Sequence, residues 1–97
     1  MHHIESESLN QLFDAILALK DREECSKFFE DICTIKEVLD LAQRLDVAVL
    51  LDQGVSYQTI AQQVNVSTAT ISRVSRCLNY GSGGYKLVLD RLGEDKK

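Results

Sequence analysis

Val55 to Arg76 reads VSYQTIAQQVNVSTATISRVSR, and the phrase VSYQTI at Val55 is echoed by VSTATI at Val66, eleven residues later. Ser56 and Ser67 stand where a helix N-cap belongs, because a short hydroxyl side chain can accept from amides that the first helical turn leaves unpaired. The echo therefore predicts two successive short helices that begin with the same chemistry. Between them lies Val64-Asn65-Val66. Asparagine is one of the few non-glycine residues that tolerates the left-handed backbone region, so Asn65 can turn the chain sharply. Ile60 and Val64 then point inward, Ala61 is small where two helices cross, and Ile71 and Val74 return to the core. This is the pattern of a helix-turn-helix, in which a small contact residue, a tight turn and apolar anchors hold the second helix proud of the body.

The outward side of that second helix, Ser67 to about Leu78, is the candidate reading surface. Thr68, Ala69 and Ser72 are short enough to let the helix enter a major groove, where methyls meet the thymine methyl and hydroxyls bond several base edges. Ser67 and the amides after it form the positive end of the helix and suit a phosphate. Arg73, Arg76 and Lys86 are further phosphate candidates. Ser56 and Gln58, at the start of the first of the two helices, complete the candidate DNA-binding set.

Charge supports this division. The 97 residues carry a net charge of −4, but residues 1–55 hold 12 acids and 5 bases, a net −7, whereas residues 56–97 hold 3 acids and 6 bases, a net +3. No Asp or Glu occurs from Gln53 to Leu89. Screening confines charge effects to roughly 8 Å at physiological salt, so an acid-free surface can face phosphates whatever the average charge.

Outward from the motif, the chain reads as helices. It contains no proline and no low-complexity linker, so it is treated as a single helical domain over 1–97: dimerisation helices over about 8–53, the helix-turn-helix over about 56–78 and a C-terminal helix over about 85–92. Leu9, Leu12, Phe13, Ile16 and Leu17 recur at helical spacing in a segment reaching about Lys20. Asp21 with Glu24, and Thr34 with Glu37, resemble capping boxes and mark two more helix starts. The helix from Thr34 carries Ile35, Val38, Leu39, Leu41, Ala42, Leu45, Val49 and Leu50, an apolar band too broad for one neighbouring helix, and Gly54 ends it. Such a band fits either a second copy related by twofold symmetry or a central helix buried in a monomer. The GSGG at Gly81 reads as a turn, Leu87, Val88 and Leu92 as cover for a dimer core, and Glu94 to Lys97 as a disordered tail.

Composition excludes much else. Three cysteines without a CxxC pair favour neither a disulfide framework nor a thiolate zinc site, and Cys25, Cys33 and Cys77 are expected reduced and mostly buried. The only histidines are His2 and His3, at an end that usually frays, which leaves a general base or catalytic triad without its imidazole. No enzyme activity, metal or cofactor is expected. With neither a membrane span nor a signal peptide, a cytoplasmic location is expected.

From about Phe28 to Leu92 the runs CTIKEVLDLAQRLDVAVLLDQG and SYQTIAQQVNVSTATISRVSRCLN resemble the Trp repressor superfamily, and most closely its YerC/YecD-like branch. The phrase STATISRVSRCLNYG is the most specific part, and LNQLFDAILALKDREECSKFFEDIC fits the same branch. The resemblance implies an all-helical, intertwined homodimer that binds DNA. In the Trp repressor, tryptophan sits between two arginines beside the helix-turn-helix. Arg44 and Arg73 match those arginines, and Thr34 matches a nearby pocket threonine, so Thr34, Arg44, Arg73, Val74 and Cys77 form the candidate effector pocket. The glycine that follows the second arginine in the repressor is Val74 here, and a pocket serine corresponds to Cys77. A β-branched side chain in space an indole needs would cost about 1–3 kcal/mol, so no tryptophan response is expected. Arg44 is then expected to pair with Asp40 or Asp46, and Arg73 to touch phosphate. The functional expectation is a dimeric, sequence-specific transcriptional regulator, most simply a repressor, on a near-palindromic double-stranded operator. The alternative is a helical protein-interaction module whose acidic half binds a partner.

Overall fold

The computed structural model describes residues 6–95, which form six α-helices and no strand: α1 (Glu7–Leu17), α2 (Arg22–Ile32), α3 (Ile35–Asp52), α4 (Tyr57–Val64), α5 (Thr68–Tyr80) and α6 (Gly84–Asp95). His2, His3 and the last two lysines lie outside the described residues. No described helix is long and apolar enough to cross a membrane. The chain divides into two compact units, one ending at Leu39 and one beginning at Asp40, so that α3 runs through the boundary.

In the first unit, short-range capping sets every helix start. Ser6 Oγ accepts from the Leu9 amide at 3.0 Å to open α1. Asp21 Oδ1 accepts from the Glu24 amide at 2.9 Å, while Glu24 Oε1 accepts in return from the amide of Lys20, not of Asp21. That return bond takes the Lys20 amide out of α1, and α1 stops at Leu17 instead of reaching Lys20. At Thr34 the box is reciprocal: the Glu37 amide donates to Thr34 Oγ1 at 3.1 Å and the Thr34 amide to Glu37 Oε1 at 2.8 Å. Phe28 and Phe29 meet edge to face, with centroids 5.7 Å apart. Yet no described side chain of this unit is fully buried, and Leu17, Ile35 and Leu39 are 82%, 76% and 62% exposed.

The second unit holds the core: Val47 and Ala48 of α3, Ile60 of α4, and Ile71 and Val74 of α5, with Leu50, Leu51, Val55, Ala61, Val64, Val66, Tyr85 and Leu89 packed around them. The apolar band read along α3 differs from what is buried, because Val47 and Ala48 are the two α3 residues the core encloses, while Leu41 and Ala42 remain exposed. Exposed Ile35, Leu39 and Leu41 do not fit a central helix buried within a monomer. Gly54, at φ +83°, ends α3 as expected, with its amide on the Leu51 carbonyl and the Val55 amide on the Leu50 carbonyl, both at 3.0 Å. At the other end, α6 continues through Glu94 to Asp95 where a disordered tail was expected, and α5 runs to Tyr80.

A candidate nucleic-acid interface beside a two-arginine cavity

The echoed phrases have one structural meaning. Ser56 Oγ accepts from the Thr59 amide at 3.2 Å and donates to Thr59 Oγ1 at 2.9 Å; Ser67 Oγ accepts from the Thr70 amide at 3.2 Å and lies 3.1 Å from Thr70 Oγ1. Both helices thus open on a Ser-x-x-Thr cap, in which the threonine takes the place of the usual carboxylate or amide of a capping box. These hydroxyls are committed to the caps. What α5 offers outward at its start are the amides of Thr68 and Ala69, which have no acceptor within the helix.

Asn65 adopts φ 60°, ψ 51°, the left-handed conformation, and is the one non-glycine residue at positive φ among those described. Its amide donates to the Ala61 carbonyl at 3.1 Å. Gln43 Nε2 of α3 reaches the Val64 carbonyl at 3.4 Å, a long-range bond to the end of α4 just before the turn. After the turn Ile71 and Val74 enter the core with Ile60, whereas Ala61 and Val64 are half-buried at the α4–α5 contact. With Ile71 and Val74 inward, the 100° step per residue sends Ala69 and Ser72 outward and leaves Thr68 on the flank of the first turn, and all three are exposed. Ser56, Gln58, Ser67, Arg73 and Arg76 are exposed as well.

Lys86 departs from the phosphate-facing expectation. Its Nζ lies 3.6 Å from Asp52 Oδ1, so the last acid before the acid-free stretch pairs with the one lysine inside that stretch. Both groups are solvent-exposed and the pair is worth at most about 1 kcal/mol, but it offsets the local positive charge. Arg73 and Arg76 remain as the basic groups on α5.

A cavity of about 210 Å³ is lined by Arg44, Thr70, Arg73, Val74, Cys77 and Tyr85. It brings together four of the five candidate pocket residues. Thr34 belongs to the first unit, where its hydroxyl caps α3. Arg44 makes no ion pair with Asp40 or Asp46, contrary to expectation, and neither Arg44 nor Arg73 has an ion pair or side-chain hydrogen bond among the described residues. The three cysteines are free thiols, as expected, but they are not buried: Cys25 and Cys77 are exposed and Cys33 half-exposed. Cys77 follows buried Val74 by three positions and so reaches the cavity rim, not the core. Tyr85 and Thr70 were not singled out from sequence. Thr70 was legible as the third residue of the echoed cap, but Tyr85 arrives from α6 across the Gly81–Gly84 turn, and no local pattern announces that approach. Among the described residues no group of His, Cys, Asp or Glu side chains is placed to hold a metal ion.

Comparison with known proteins agrees with this architecture. The chain is 54% identical over 91 residues to YerC of Bacillus subtilis, described as uncharacterized, covering 94% of this chain and 88% of that one. It superposes with a TM-score of 0.89 on a TrpR-like protein from Eubacterium eligens, at 53% identity over 92% of both chains. A candidate Trp repressor from Staphylococcus aureus matches with a TM-score of 0.88 and 50% identity, over 92% of this chain and 89% of that one. The profile of the Trp repressor protein family spans residues 7–93, nearly the whole described chain, and with this all-helical fold the chain belongs to the Trp repressor family.

Proposed function

We propose that this chain is a sequence-specific DNA-binding regulator, acting in the cytoplasm as a homodimer, most simply as a repressor on a near-palindromic operator. The observation that carries the reading is the pairing of the Asn65 turn with the anchored α5: Ile71 and Val74 are in the core while Thr68, Ala69 and Ser72 are exposed. Side chains of this size allow the backbone of α5 to approach base edges, and Thr68, Ala69 and Ser72 would read them. The open amides after Ser67, with Gln58, Arg73 and Arg76, would hold phosphates, while Ser56 would serve the interface as the cap that fixes the start of α4.

The dimer is supported by what one chain leaves uncovered. The first unit buries no described side chain, although α1 and α2 are amphipathic, and Leu17, Ile35 and Leu39 face water. Apolar surface of that extent is stabilised when a second copy covers it. Twofold symmetry then places two α5 helices in successive major grooves, about 34–36 Å apart.

The test is retention of fragments from a random genomic pool in a native gel at low and moderate salt. Selected fragments that share a near-palindrome are expected. A chain that retains none at either salt would instead be a helical protein-interaction module, a role to which its acidic first half would then belong.

A further inference from the structure

We infer, resting on the DNA-reading role proposed above, that Gln43 of α3 is a positioning residue: by holding the Val64 carbonyl it fixes where the Asn65 turn aims α5, and so sets the half-site spacing that the dimer accepts.

Val64 closes α4, and its carbonyl is one of the last four that a helix leaves without an intrahelical partner. Among the described residues no backbone amide donates to it; the side-chain amide of Gln43 does, with Nε2 at 3.4 Å. The serine and aspartate caps join residues three apart, whereas this bond joins positions 21 apart on two helices. Its acceptor belongs to the residue just before Asn65, whose φ of 60° turns the chain into α5.

Gln43 lies one turn before Val47, on the side of α3 that meets the core. The α4 backbone runs close to α5 and that of α5 to α6, while α3 meets them chiefly through side chains. The apolar contacts of Val47 and Ala48 with Ile60, Ile71 and Val74 hold α3 against the hairpin, but burial of apolar surface is non-directional and leaves a small rotation open. A hydrogen bond is directional and weakens steeply below a donor angle of about 120°. Gln43 therefore turns a packed contact into a fixed angle at the point where α4 hands over to α5. Leu41, two positions earlier on the same helix, is 47% exposed and available to a second copy, so α3 links the pairing of two chains to the aim of each reading helix. Two α5 helices that must enter grooves about 34–36 Å apart tolerate little swivel in either.

The experiment compares wild type, Gln43→Met and Gln43→Glu, each as the full chain. Methionine keeps the length of the side chain without the donor, and an ionised glutamate keeps its shape but only accepts. The first readout is affinity for a selected near-palindromic fragment and for versions with one base pair inserted or deleted at its centre, which turns one half-site by about 35° against the other. The second is hydrogen exchange in the free protein at the Asn65 and Thr70 amides, which donate to the Ala61 carbonyl and Ser67 Oγ, set against the core amides of Val47 and Ile71. Wild type is expected to lose roughly tenfold or more in affinity on the altered spacings, and both variants about threefold or less. In the variants Asn65 and Thr70 should exchange about fivefold or more faster, with Val47 and Ile71 within about twofold of wild type. Either variant carries the test if the other does not fold. The positioning role is overturned if neither folds, if wild type accepts all spacings alike, if the variants keep the wild-type spacing penalty, if the turn amides exchange as in wild type, or if exchange rises equally in the core. Should wild type retain no DNA at all, the regulator reading fails by itself, and exchange at Asn65 and Thr70 still decides whether Gln43 holds the turn.

Discussion

At the scale of single residues, the proposed function gives α5 two kinds of contact. Thr68 and Ser72 would read base edges, while Arg76 would hold a phosphate, a contact that carries no sequence information. Thr68→Ala or Ser72→Ala is expected to cost about 1–3 kcal/mol on the preferred site and to relax preference at one position. Arg76→Ala should weaken binding to specific and random duplexes alike and lower the salt slope by about one. Titrations of both variant classes on both duplexes check the contrast, and identical behaviour would remove the assignment of roles. Asn65 supplies a second test. Its φ of 60° suits asparagine and glycine, so Asn65→Ala should lower stability by about 1 kcal/mol or more while Asn65→Gly stays within a few tenths, as denaturant midpoints would show.

At the scale of elements, the ends of α5 differ in what they tolerate. Its start is an exposed serine cap, whose loss would cost about 0.5–2 kcal/mol. Its far end is tighter. The Gly81 amide donates to the Cys77 carbonyl at 2.8 Å, and a Cβ at position 81 would collide with that same carbonyl oxygen. Backbone cannot yield as a flexible side chain does, so Gly81→Ala should unwind the last turn of α5 and displace the α6 entry that brings Tyr85 to the cavity. The expected result is a destabilisation of more than about 1 kcal/mol with loss of far-ultraviolet helical signal. Gly84→Ala, with nothing near the added Cβ, should be close to neutral or slightly stabilising.

At the scale of the whole molecule, charge and apolar surface set the behaviour. If about six to eight phosphates are neutralised per dimer, log affinity falls with log salt at a slope of roughly −5 to −7, and a flat response would contradict phosphate-dominated binding. Leu39 is 62% exposed in one chain, and a carboxylate there would be buried unpaired in the proposed dimer. Leu39→Glu is therefore expected to shift sedimentation from dimer to monomer and to abolish DNA retention. A variant that stays dimeric would place the interface elsewhere.

What could be read directly from the sequence was what one helical turn decides. The Ser56 and Ser67 caps, the Asp21 and Thr34 caps, the Asn65 turn and the Gly54 stop all depend on partners three to five residues away, and each formed where it was read. Tertiary structure alone decided which side of α3 is enclosed, that Lys86 meets Asp52, that Cys77 stands at a cavity rim and that Tyr85 completes that cavity. Those outcomes join residues up to 41 positions apart, as Arg44 and Tyr85 at the cavity show. Helical periodicity says only that a stripe is apolar. Which part of a wide stripe is buried, and against what, is settled by the packing of the other helices.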